Sequence, residues 1–186
     1  MTVLDQGLSA AGARGARVPV LSRVHDWVIT VDHKRLGLMY IASGLVFFLV
    51  AGFEASLMRI QLALPHNDFL SPQVFNRLMT MHGTTMVFFV GMPMFFGFSN
   101  FLVPLMIGAR DLAFPRLNLA SWYFYVGGGL VTLAALVAGG VDTGWTFYTP
   151  FSTLFSNTHV IYALAGVFVV GFSSILTCLN FIVTVH

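Results

Sequence analysis

The sequence predicts an all-α, polytopic membrane protein, and three observations carry that prediction. Apolar side chains make up 57% of the 186 residues and charged ones only 9%, against about a quarter charged in ordinary soluble domains. Four apolar segments, at about 36–57, 79–107, 117–138 and 159–185, each reach the roughly 20 residues that cross a bilayer core. None of the four shows the period-two alternation of a barrel strand. A helix is then the form that satisfies every backbone group within the segment.

Taken in order, the first 35 residues are polar and contain arginine. The first apolar run begins too late and runs too long for a secretory signal. Residues 7–16 are rich in Ala and Gly and are expected to be mobile. The expected organisation is an N-terminal arm over 1–26 and one helical domain over 27–186. The second span contains Pro93 and, near its end, Pro104. Kinks there are tolerated where neighbouring helices or Ser/Thr side chains satisfy the freed carbonyls. Gly127, Gly128 and Gly129 inside the third span point to close helix packing rather than a nucleotide site. Cys178 is the single cysteine, so the chain has no disulfide framework.

The basic residues orient the spans. Arg14, Arg17, Arg23, Lys34 and Arg35 precede the first span, and Arg110 and Arg116 lie between the second and third. Only Arg59 and Arg77 lie between the first and second, and the linker over 139–158 has none. Lys and Arg favour the cytoplasmic side. The N-terminus and the 108–116 loop are therefore expected to face the cytoplasm and the His82 end to face outward. The net charge of +2 reflects this asymmetry, and nothing suggests nucleic acid.

Candidate chemistry begins at His82, at the mouth of the second span. An ionisable or metal-binding side chain within a span is a functional hypothesis by default, and imidazole is a common axial ligand of haem iron. Gly83, Thr84 and Thr85 would form a low wall on which a flat macrocycle could approach the backbone. The plain alternative is an interfacial histidine bonded to a headgroup or water. Arg59, at the same outer depth, could meet a polar group on a buried cofactor or could simply snorkel. Glu54, a turn deeper, needs a water, a partner helix or a proton, because a bare carboxylate there is costly.

On the inner side, Asp111 sits between Arg110 and Arg116. It reads either as a solvated loop charge or as a proton collector at the mouth of a polar track. Asn118, Asn100, Tyr40, Ser121, Ser173, Ser174 and Asn180 are the side chains that could order water along such a track. Membrane helices also use Ser and Asn as packing glue, and on the residues alone that reading is favoured. Trp145, Phe147 and Tyr148 suit an interfacial aromatic belt. His159 is the other histidine at the depth of His82, whereas His25, His33, His66 and His186 read as solvated. There is no Cys-x-x-Cys-His haem attachment, phosphate loop or HExxH.

Five stretches together resemble subunit I of the haem–copper terminal oxidases, among them cytochrome c oxidase. They are VDHKRLGLMY (31–40), TMHGTTMVFFVGMP (80–93), FSNFLVPLMIGARDLAFPRLN (98–118), TGWTFY (143–148) and SSILTCLNFIVT (173–184). The resemblance covers about residues 27–186. It implies that His82 is an axial ligand of the low-spin haem, of the A type, that Arg59 lies near its formyl group and that Trp145 lies near its propionates. It implies that Asp111 is the mouth of a proton pathway, that Asn100 and Asn118 line that mouth, and that Tyr40, Ser121, Ser173, Ser174 and Asn180 continue its lining. The packing-glue reading of that track is thereby reversed.

The resemblance also implies a function: electron transfer from cytochrome c to oxygen, which is reduced to water, with coupled proton pumping in a bacterial-type inner membrane. Partners would be the remaining helices of subunit I, other oxidase subunits and cytochrome c. The family has twelve spans, so these four correspond to an N-terminal third, truncated or split. Catalytic residues, the oxygen-reducing haem and copper would come from later spans, and this chain alone is not expected to be active. Several positions depart from the family pattern. Leu119 stands where many members have a second asparagine, Thr149 replaces a proline, and Phe168 holds a site often given to histidine. Val50 and Val74 stand where quinol-oxidising members have arginine and histidine, and Arg77 replaces a glutamine, which favours cytochrome c as donor. Two readings from other classes remain open: a self-contained small b-type membrane cytochrome using His82 and His159, and a non-catalytic remnant that binds no haem.

Overall fold

The structure, a computed structural model, describes residues 20–186. The stretch 7–16 expected to be mobile, with Arg14 and Arg17, lies outside the described residues. Val20–Val28 forms a short amphipathic helix, α1, within a unit that ends at Thr30. Residues from Val31 onward form a second unit, which carries the four spans.

Helix α2 covers His33–Gln61, and the side chain of its N-cap, Asp32, accepts from the Lys34 amide at 2.8 Å. The second span is composite. Helix α3, Pro72–Thr84, leads into a π-helical stretch, Thr85–Gly91, and then into α4, Met92–Met106. Helix α5 covers Pro115–Val137 and α6 covers Val160–Val185. The four resulting spans are long and apolar enough to cross a bilayer, and there is no strand among the described residues. The all-α, polytopic expectation therefore holds.

The span ends differ from the sequence reading for a local reason. The first span starts at His33 rather than about residue 36 and runs to Gln61 rather than 57, and the second starts at Pro72 rather than about 79. Polar caps, not apolarity, set these starts. Ser71 accepts from the Val74 amide, and Pro72 occupies the first turn, where its missing N–H costs nothing. Gln61 then organises the connection. Its amide nitrogen donates to the Asn67 carbonyl, and its oxygen accepts from the Leu70 amide at 2.6 Å.

Both prolines of the second span free a carbonyl one turn earlier, and each carbonyl is taken by a side chain from another helix. The Tyr125 hydroxyl of α5 donates to the Phe89 carbonyl at 2.8 Å, four residues before Pro93. His33 Nδ1 of α2 meets the Asn100 carbonyl at 2.9 Å, four residues before Pro104. A carbonyl only accepts, so Nδ1 carries the proton. This corrects the reading of His33 as solvated: its side chain is 3% exposed. His25, His66 and His186 are exposed as expected.

Glycines set the two closest helix approaches. A Cβ on Gly37 of α2 would lie 2.7 Å from the Gly97 carbonyl of α4, and a Cβ on Gly128 of α5 would lie 2.6 Å from the Gly166 carbonyl of α6. Helices in lipid associate through small residues of this kind. Gly129 accommodates the Phe47 ring, whereas Gly127 faces open space. The centre of the bundle is aromatic. Tyr40, Phe47, Phe89, Phe96 and Tyr125 form one buried cluster, with Tyr40 and Tyr125 stacked at 5.5 Å. Substituting Gly128→Val should force α5 and α6 apart and destabilise the protein by about 1–3 kcal/mol. Gly127→Ala should be neutral. Thermal melting in detergent, followed by size-exclusion chromatography, measures both.

Candidate functional site

The side chains singled out in the sequence gather at two levels. At the first, the Tyr40 hydroxyl of α2 sits 2.8 Å from Ser121 Oγ of α5 and 3.1 Å from Ser173 Oγ of α6. Ser121 also donates to the Asn118 carbonyl at 2.6 Å. All four residues are buried, so three helices meet at one polar knot inside an apolar bundle. Buried polar groups concentrated in this way are hydrogen-bonded, and leftover capacity is satisfied by water. Asn118 has that leftover capacity at both amide atoms and Asn100 at its carboxamide oxygen, none of which has a protein partner among the described residues.

Asn100, also fully buried, donates its amide to the Phe96 carbonyl at 2.9 Å. Asp111 is half-buried at the turn after α4, and its carboxylate accepts from the Leu112 amide at 2.8 Å. The loop that carries it is fastened to α6. Asn180 pairs with both backbone groups of Phe114, at 2.9 and 3.0 Å, and Thr184 accepts from the Ala113 amide at 3.0 Å. Asn180 therefore anchors the loop rather than joining the Tyr40 knot. Ser174 bonds back to the Val170 carbonyl of its own helix at 3.3 Å.

The second level is built around His82, in the last turn of α3. Its Nδ1 meets the Ala51 carbonyl of α2 at 2.9 Å. The carbonyl can only accept, so Nδ1 holds the proton and Nε2 keeps its lone pair. The ring is half-buried. The neighbouring bare face of Gly83 is filled by Trp145, whose Cδ1 would lie 3.0 Å from an added Cβ. That corrects the expectation of an open wall there: the missing side chain makes room for an indole. Trp145 also leans on Phe88, with ring centroids 6.4 Å apart. An imidazole pinned at Nδ1 by a backbone carbonyl is oriented, and its other nitrogen is free to bind a metal. This donor fits a haem iron.

Arg59 lies exposed on α2, roughly two turns beyond Ala51. His159 precedes α6, its ring 6.0 Å from that of Tyr162. No group of three or more metal-ligating side chains occurs among the described residues. The structure bears on one flagged carboxylate and reveals two donors that the sequence reading missed. Glu54 is buried, and neither of its oxygens has a hydrogen-bond partner among the described residues. His33 and Tyr125 close the proline gaps, which could have been foreseen by asking which donor meets the carbonyl four residues before each proline.

Comparison with known proteins follows the same lines. Residues 35–186 match the family model described as cytochrome C and quinol oxidase polypeptide I. Cytochrome c oxidase subunit 1 of Bacillus subtilis (strain 168) is 45% identical over 166 residues, covering 88% of this chain and 26% of that protein. The subunit of the same name from Alkalihalophilus pseudofirmus is 50% identical over 133 residues, or 71% of this chain and 21% of the relative. Quinol oxidase subunit 1 of Bacillus spizizenii is 42% identical over 163 residues, or 86% and 25%. The chain thus spans about a quarter of the length of these relatives. With a matched region that takes in all but the first 34 residues, this chain belongs to the cytochrome c and quinol oxidase polypeptide I family.

Proposed function

We propose that this chain is the N-terminal part of subunit I of a terminal respiratory oxidase that passes electrons from cytochrome c to oxygen, forming water, and pumps protons. The observation that carries the reading is the His82 clip: Nδ1 given to the Ala51 carbonyl at 2.9 Å, leaving Nε2 as a metal donor. In this reading His82 would hold the iron of a low-spin haem of the A type, and Arg59 and Trp145 would help to bind it. Bound there, the haem supplies one-electron redox chemistry. The protein's contribution is orientation. The Ala51 bond fixes the tautomer and the ring plane, and the Gly83–Trp145 contact packs the next residue against lateral movement.

Protons in this reading come from the opposite end of the bundle. Asp111 collects them, Asn100 and Asn118 line the mouth, and Tyr40, Ser121 and Ser173 continue inward, with Ser174 and Asn180 along the lining. The unpartnered amide atoms of Asn100 and Asn118 support it, because such groups recruit water. The reading places the N-terminal arm (1–26) and Asp111 on the cytoplasmic side of a bacterial-type inner membrane. The basic residues around Lys34, Arg35, Arg110 and Arg116 support that orientation. Cytochrome c is favoured over quinol as donor by Val50 and Val74. Arg77 adds to this, since it is already occupied in donating to the Gly139 carbonyl at 3.3 Å. Residues 27–186 would form the first four helices of a twelve-helix bundle. The rest of subunit I would supply the oxygen-reducing haem and copper, and the other oxidase subunits would assemble around it.

Two outcomes test the reading in the assembled oxidase. His82→Ala should abolish the low-spin haem band in the reduced-minus-oxidised spectrum, while His159→Ala should leave it intact. Loss of the band with His159→Ala would favour the paired-histidine cytochrome instead. Asp111→Asn should slow proton uptake several-fold, followed with a pH-indicator dye during oxygen consumption, and should leave the haem spectrum unchanged. Normal uptake in that variant would remove Asp111 from the path.

A further inference from the structure

Pro104 lies inside α4 and cannot donate to the Asn100 carbonyl, which would otherwise hang unsatisfied in the apolar interior. The donor that replaces it is a buried imidazole, His33 Nδ1, at 2.9 Å. The same residue, Asn100, has its side-chain amide tied to the Phe96 carbonyl at 2.9 Å, while its carboxamide oxygen is buried without a protein partner. Both the backbone and the amide nitrogen of Asn100 are therefore fixed, and the one free polar atom is held in a single direction. A histidine is costly to bury in a span. The bond satisfies the carbonyl that Pro104 frees and also fixes the backbone of the residue whose side-chain oxygen is left without a protein partner.

We propose that His33 is a positioning residue for the proton path: its Nδ1–H holds the kinked end of α4 in register and thereby aims the Asn100 carboxamide oxygen into the polar track. The assignment rests on the proton-path reading given above. In this assignment His33 acts through Asn100 and is not itself a member of the track.

The imidazole geometry supplies its own test. An asparagine at this position places its amide nitrogen where Nδ1 now stands, whereas glutamine reaches one bond too far and alanine offers no donor. In the assembled oxidase, His33→Ala and His33→Gln should slow proton uptake by roughly fivefold to tenfold, in the range expected for loss of one buried hydrogen bond. His33→Asn should restore most of the rate. Tyr125→Phe, which removes the matching bond from the Phe89 carbonyl, should leave uptake near wild type and so controls for a merely structural loss. Equal slowing by Tyr125→Phe, equal rates for His33→Asn and His33→Gln, or normal uptake in His33→Ala beside a slow Asp111→Asn would each overturn the proposal. Normal uptake in Asp111→Asn would instead defeat the path reading. Solid-state NMR of oxidase labelled with 15N-histidine and 13C-carbonyl asparagine then tests the clip separately. A cross-peak between a protonated imidazole nitrogen and an asparagine carbonyl is expected, lost in His33→Gln; its absence from the wild type would overturn the clip itself.

Discussion

A backbone carbonyl in hydrocarbon has no water to turn to, and the second span contains two that its own helix cannot satisfy. Each unsatisfied group in such surroundings costs several kcal/mol, so the span persists only because other helices lend it donors. Tyr125 reaches the Phe89 carbonyl from α5, and His33 reaches the Asn100 carbonyl from α2. These two bonds lock three spans to one another at fixed heights. The glycine crossing at Gly37–Gly97 joins the same two helices, α2 and α4, that the His33 bond spans. Between α2 and α4, close packing and the donor to the proline-freed carbonyl thus occur together.

The same bonds place the two chemical levels. His33 sits at the start of α2 and Tyr40 two turns later, where it joins Ser121 and Ser173. Ala51, three turns further on, receives His82. A single helix, α2, therefore carries the partners of both levels. Between the levels stand Phe47, Phe89 and Tyr125, buried and in ring contact with one another. Tyr125 in turn stacks on Tyr40 of the knot.

Much of this was legible in the sequence. Four spans follow from apolar length alone, because lipid imposes the same rule on every segment. Small residues inside a span pointed to close packing at Gly127, Gly128 and Gly129; it holds at Gly128 and Gly129, while Gly127 faces open space. The meeting of Tyr40, Ser121 and Ser173 needed the family resemblance, since hydroxyls on separate helices carry no mark of their partners. Other features were hidden for physical reasons. Span ends depend on caps such as Asp32 and Ser71, which look like loop residues. His33 looked solvated because it adjoins Asp32 and Lys34, yet its ring turns inward toward a carbonyl sixty-seven positions away. The π-helical stretch over Thr85–Gly91 leaves no periodic signature in a segment that is apolar on every side. Gly83 was read as an open wall because a missing side chain does not say which neighbour fills the space.

The aromatic block between the two levels has an electrical consequence. Tyr40 and Ala51 are eleven residues apart on one helix, roughly 16 Å along its axis. Across water, unit charges at that separation interact by about 0.3 kcal/mol, and at the effective permittivity typical of protein sites by about 1 kcal/mol. Rings that exclude water thus let a charge placed at one level bias the other about fivefold, with no conducting chain of bonds between them. Insulation of this kind is itself a means of communication.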